Sequence, residues 1–168
     1  LALDDSAPGA HEVLGILYLW LDKQHDQAIA EGERSIALGP NCASCHCSLG
    51  GALIQAGRPA EAIALLEKGL QLDPLSRMRG LCLTSLGQAY RMMGQYEEAL
   101  SHLRKALTFL DYWVAHLNLA AIYSKLGREP EAQAEVAEVN RTNPQMSLEM
   151  VRRMSVQKDP ALLERTIA

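Results

Sequence analysis

Leu49-Gly50-Gly51-Ala52-Leu53-Ile54-Gln55-Ala56-Gly57, running on into Arg58-Pro59-Ala60-Glu61-Ala62-Ile63, is the stretch that decides the fold. A small residue follows a leucine, a glycine comes seven residues later, an alanine five beyond that, and Pro74 twelve beyond the alanine. The same phased set recurs along the chain. The alanines stand at 28, 62, 99 and 132, with spacings of 34, 37 and 33. Gly57, Gly94 and Gly127 precede three of them, and Pro40, Pro74 and Pro144 follow three of them. Gly50, Gly87 and Ala120 each follow a leucine, with Leu53, Tyr90 and Tyr123 three residues on. A period in the range of about 20–50 residues marks stacked supersecondary units rather than one closed core.

Each recurring residue has a physical role in a helix–turn–helix unit. The small residue on the first helix lets the second approach closely, and the alanine on the second fills the crossing. The glycine ends the first helix, where a left-handed residue costs it little. The proline closes the second helix. Four co-phased copies with this pattern resemble the tetratricopeptide repeat, a helix–turn–helix unit of about 34 residues. The resemblance implies an all-α, right-handed α-solenoid of antiparallel helix pairs, about four repeats plus C-terminal capping helices. The expected units are 9–41, 42–75, 76–111 and 112–144.

Three departures refine this expectation. Gly15 lies thirteen residues before Ala28, one more than in the other units, and no glycine sits in Lys23-Gln24-His25. The third unit carries three extra residues around Leu75–Arg79, which the reading assigns to a longer first helix. That unit ends on Leu110-Asp111 rather than on a proline, predicting a softer bend into Trp113.

Leu1-Ala2-Leu3-Asp4-Asp5 matches Leu70-Gln71-Leu72-Asp73-Pro74, so residues 1–8 are expected to be the remnant of a preceding repeat. An open first unit would present Val13, Leu17, Trp20 and Leu21 and favour self-association. Residues 145–168 are expected to form capping helices, with Asp159 and Pro160 at a helix start. Asn143-Pro144, Ser147-Leu148-Glu149, Lys158-Asp159-Pro160 and Leu163-Glu164-Arg165 also resemble the C-terminal end of bacterial proteins with a class III adenylate/guanylate cyclase domain. That resemblance implies a regulatory array whose catalytic part lies outside this sequence.

Composition excludes several classes. The 168 residues are 48% apolar and 21% charged, ordinary for a globular domain. Sixteen Lys and Arg against twenty Asp and Glu give a net charge of −4, without the basic excess of a nucleic-acid binder. The most continuous apolar run, Val13–Leu21, is far shorter than the ~20 residues that span a bilayer. Four cysteines without an evident pairing scheme fit unpaired thiols in a reducing cytoplasm.

Cys42-Ala43-Ser44-Cys45-His46 has the C-x-x-C-H form of c-type haem attachment. Helical spacing also places Cys42, Cys45 and His46 on one face, a possible metal set. The repeat register instead makes them packing residues of the second unit's first helix, and no cofactor is expected. No G-x-S-x-G, Walker or H-E-x-x-H motif occurs, so no enzyme is expected.

The concave face remains. In this repeat class the first helix of each unit lines a groove that takes extended or helical partner segments. Counting along those helices gives Ile54, Gln55, Leu81, Thr84, Gln88, Arg91, Leu117, Ser124 and Lys125 as candidate groove residues. Ile54, Leu81, Leu117 and Arg91 are the expected anchors. Two cations are too few for a carboxylate clamp, so the expected partner is an apolar or mixed protein segment.

Overall fold

A computed structural model of the chain describes residues 6–21, 23–75 and 78–145. Among the described residues there are eight helices and no strand. They are α1 (Pro8–Trp20), α2 (His25–Leu38), α3 (Ala43–Gln55), α4 (Pro59–Leu72), α5 (Arg79–Met92), α6 (Tyr96–Leu107), α7 (Trp113–Lys125) and α8 (Glu129–Thr142). Consecutive helices pack pairwise, as α1 with α2, α3 with α4, α5 with α6 and α7 with α8. The odd helices also pack on one another in succession, while α2, α4 and α6 each touch the following odd helix. This is an all-α solenoid of helix pairs. None of the described helices is long and apolar enough to cross a membrane.

The turn inside each pair follows from its backbone. Gly57, Gly94 and Gly127 have φ of 79°, 77° and 69°. Behind them, Arg58, Gln95 and Arg128 N–H groups reach back to the carbonyls of Leu53, Tyr90 and Tyr123 at 2.8–2.9 Å. This closes the helix ends that would otherwise leave carbonyls bare. In the first pair Lys23 takes the left-handed conformation, with φ 53°. There Gln24 N–H bonds to Tyr18 O at 2.9 Å, spanning one residue more than its counterparts. The extra residue of the first unit is thus absorbed in the turn, as the sequence implies.

Close approach within pairs rests on the small residues. A Cβ on Gly50 would sit 2.6 Å from Leu66 Cγ, and one on Gly15 would sit 3.1 Å from the Ala28 carbonyl oxygen. Ala62 and Ala99 are fully buried, and Ala28 nearly so. Among the described residues two clusters form the core, one spanning α1 to α6 around Leu49, Leu66 and Leu86, the other around Leu103, Leu119 and Ile122. Tyr90 packs against both and joins them.

Prolines end three outer helices as expected. Gly39, Asp73 and Asn143 leave the helical region, with φ of −134°, −139° and −145° and ψ of 76°, 86° and 79°, immediately before Pro40, Pro74 and Pro144. Without a proline, α6 ends at Leu107 and its cap Thr108 stays in the right-handed helical region. One expectation needs correction. The extra residues near Leu75–Arg79 fall mainly between the end of α4 at Leu72 and the start of α5 at Arg79, and α5, at 14 residues, is one residue longer than α1, α3 and α7 rather than longer by most of a turn. Pro74 and the turn in which Leu75 N–H bonds to Asp73 Oδ1 at 3.2 Å lead the chain out of α4. The expected capping helices over 145–168, the cyclase-like tail beyond Gln145 and the repeat remnant at residues 1–5 lie outside the described residues.

Candidate functional site

The stacked odd helices present one continuous surface, and a shallow groove of about 260 Å³ crosses it. α1 contributes Ile16, Leu19 and Trp20. α3 contributes Cys47, Ser48, Gly51 and Gln55. α5 contributes Leu81, Cys82, Thr84, Ser85 and Gln88, and Tyr112 and Val114 close the far side. Among the described residues no charged side chain lines it. Trp20 is 52% exposed at one rim, and a Cβ on Gly51 would meet nothing within 4 Å. A second cavity of about 430 Å³ lies further along, bounded by Arg91, Met92, Met93, Gly94, Tyr96, Ala121 and Lys125.

The candidate residues therefore divide. Gln55, Leu81, Thr84 and Gln88 meet in the uncharged groove, while Arg91 and Lys125 meet in the second cavity. Leu117 and Ser124 are half-buried on α7 and line neither. Ile54 is only 1% exposed and belongs to the core, so it is not an anchor. Thr84 reaches the groove but is nearly buried, and its hydroxyl donates to Gly80 O on its own helix at 2.8 Å.

Arg91 also needs correction as an anchor. It is 8% exposed, and its Nε–H donates to Asn118 Oδ1 at 2.7 Å. Asn118 in turn donates to Val114 O at 2.8 Å. Burial pushes the guanidinium pKa down to about 10, yet the group stays cationic at neutral pH. Arg91 is chiefly a brace between α5 and α7. Replacing it by glutamate would place a carboxylate against Asn118 Oδ1 in a buried site and damage the fold along with any binding. Tyr112 and Ser85 were not among the candidates. Tyr112 precedes its helix, and helical periodicity cannot assign a face to a residue outside a helix.

The cysteines depart from the expectation of unpaired thiols. The structure pairs Cys42 with Cys45 and Cys47 with Cys82, with Cα–Cα distances of 5.3 and 5.5 Å. Cys42 caps α3 and Cys45 lies one turn on, while Cys47 faces Cys82 across the α3–α5 contact in the groove floor. A pairing across two helices 35 residues apart in sequence leaves no local signal. His46 is buried, and its Nε2 lies 2.9 Å from Pro40 O. Only the Nε2–H tautomer can donate to that carbonyl. The ring is thereby turned toward Pro40, away from the role of an axial ligand.

The other histidines act in packing. His11 Nδ1 meets Glu31 Oε2 at 2.6 Å, joining α1 to α2. His116 bonds to Glu135 at 2.6 Å and Asp111 at 3.0 Å. His102 stacks on Tyr90 with centroids 5.3 Å apart, and burial, helped by Lys105, lowers its pKa.

Comparison with known proteins agrees with this architecture. In solved structures the chain is similar to TTC0263, a thermophilic TPR protein of Thermus thermophilus, at 24% identity and TM-score 0.71, covering 88% of this chain and 79% of that one. It is similar to PilW, a type IV pilus biogenesis factor, at 19% identity and TM-score 0.77, covering 97% and 76%. MamA of AMB-1 matches at 25% identity and TM-score 0.59, covering 86% and 78%. No curated protein matches the chain. Residues 42–111 and 90–150 match family models of the tetratricopeptide repeat. From residue 42 to residue 150 the chain is thus built of tetratricopeptide repeats, a fold that generally serves as a scaffold for protein–protein interaction.

Proposed function

We propose that this chain is a non-enzymatic scaffold whose uncharged groove takes an apolar or mixed segment of a partner protein, or of a longer chain to which it belongs. The observation that carries this reading is the groove itself: it crosses four helices, holds no charged side chain among the described residues, and offers Trp20 and Leu81 as apolar contacts. Such segments bind through a few apolar anchors in a preformed channel. Leu81, Gln55 and Gln88 are the residues best placed to read the segment, and the exposed Lys125 would meet an acidic or polar continuation of it.

Gly51→Trp tests this directly. The new side chain would point into open space above the groove floor, so the fold should keep its melting temperature. Peptides selected from a displayed library on the wild-type protein should bind the variant at least tenfold more weakly. Equal binding to both proteins would sink the groove reading.

The tail at 143–165 supports a second, compatible reading. Its resemblance to cyclase-associated arrays would make the four units, 9–41, 42–75, 76–111 and 112–144, a regulatory array of a bacterial signalling protein in the cytoplasm. The coding sequence upstream of residue 1 decides this. A thiol count on protein isolated from its own host tests the compartment, since free thiols support the cytoplasm and paired ones an oxidising space. Self-association would use Val13, Leu17, Trp20 and Leu21, between 42% and 74% exposed, and sedimentation of Leu17→Glu against wild type tests it.

A further inference from the structure

The start of α3 brings a different chemistry together. Cys42 Sγ, Cys45 Sγ and one carboxylate oxygen of Glu12 all lie within 4.8 Å of one another. Glu12 comes from α1, thirty residues before Cys42, so the tertiary fold assembles this set. Glu12 is already held in place. Ser44 Oγ donates to Glu12 Oε2 at 2.9 Å and Ser48 Oγ donates to Glu12 Oε1 at 2.8 Å. Cys45 Sγ lies 3.7 Å from the same Oε2. Beside them is a small cavity of about 20 Å³ touched by Glu12, Cys45 and Ser48, room for about one water-sized occupant.

We propose that Cys42, Cys45 and Glu12 form a site for a thiophilic divalent cation of the zinc class, open when the Cys42–Cys45 pair is reduced. Two sulfurs at C-x-x-C spacing are the usual half of a tetrahedral zinc site, and a carboxylate oxygen is an accepted third ligand. Two thiolates and one carboxylate favour zinc over magnesium or calcium, which prefer oxygen ligands alone. Cys42 caps α3, and Cys45 N–H points at Cys42 Sγ across 3.3 Å, a donor that a metal-bound Cys42 sulfur can keep. The serine hydroxyls orient the carboxylate as outer partners do at metal centres. His46, which sequence spacing offers as the third ligand, is turned to Pro40 instead. The fourth position would fall to water.

The chemistry balances. A phosphine reductant and water convert the disulfide to two thiols and phosphine oxide. Binding one divalent ion then releases two protons, one from each thiol. The oxidised pair has no thiolate to offer, so the site is redox-gated, and its filling would clamp α1 to α3.

The test is cobalt(II) titration of the full chain after phosphine reduction and metal stripping. The expected result is a near-ultraviolet sulfur-to-cobalt band saturating at one equivalent, displaced by zinc. The oxidised protein should show no band. Cys45→Ser should abolish it, and Glu12→Gln should weaken binding about tenfold or more. Cys82→Ser should leave it unchanged, because the second pair is not part of the site. Circular dichroism of each variant separates lost binding from lost fold. A folded, reduced protein without the band would overturn the proposal, as would a band that survives Cys45→Ser or Glu12→Gln unaltered.

Discussion

Lys23 stands where Gly57, Gly94 and Gly127 stand in the other turns, at φ 53°. A left-handed residue with a Cβ costs about 1–2 kcal/mol, and glycine's greater freedom in the unfolded chain offsets part of any gain. Lys23→Gly should therefore raise stability by about 0.5–1 kcal/mol, read as a higher denaturant midpoint at unchanged slope; a lower midpoint would contradict the strain. His116 carries a pH signature. Burial opposes its charge, but its bonds to Glu135 and Asp111 outweigh this, and its pKa stands above the ordinary histidine value. Protonation thus favours the folded state. That contribution is complete below the unfolded value of about 6.5 and is lost as pH rises through the higher folded value. His116→Gln should cost more stability at about pH 6 than at about pH 9, and a cost independent of pH would show that the ring stays neutral. The sequence shows His116 as a helical histidine, but its partners, Asp111 five residues before it and Glu135 on the next helix, become visible only once α7 and α8 are packed.

At the scale of the element, two adjacent glycines of α3 give opposite predictions. Gly50 faces α4, where Leu66 is fully buried and cannot yield. Alanine there gains about 1 kcal/mol of helix propensity but overpacks by about 1–3 kcal/mol, so Gly50→Ala should destabilise. Gly51 faces the groove and meets nothing, so Gly51→Ala should stabilise by up to about 1 kcal/mol. Thermal melts of the two variants moving the same way would refute this division of faces. The pairing of helices was legible because glycine turns, buried alanines and helix-ending prolines each answer to one backbone constraint. The groove was only half legible. An inner helix here packs against its own partner, the preceding outer helix and both flanking inner helices, which leaves a narrow free strip. A step of one residue turns the side chain by about 100°, enough to carry Ile54 from beside Gln55 into the core. For Arg91 the period was right, but Asn118 on a neighbouring helix had claimed the guanidinium.

For the whole molecule, stability is distributed along a line rather than about a centre. α5 packs against α3, α4, α6 and α7, whereas α1 packs only against α2 and α3 among the described residues. Much of α1's apolar surface stays outside these contacts: Val13, Ile16, Leu17 and Trp20 are 41–52% exposed, while Leu83, Leu86 and Ala89 of α5 are at most 2% exposed. In such arrays each unit is stabilised by its own packing and that of its neighbours, so segments open separately. Amide hydrogen exchange under native conditions should therefore proceed through α1 first, with the amides of α5 protected close to the global limit. Because α1 supplies the Trp20 rim of the groove, a peptide seated there should slow exchange in α1 more than in α5, as a ligand that binds only the closed form must. Uniform protection from α1 to α5 would mean that the chain unfolds as one unit and that this linear account of its stability is wrong. Slowing confined to α5 would place the peptide away from the Trp20 rim.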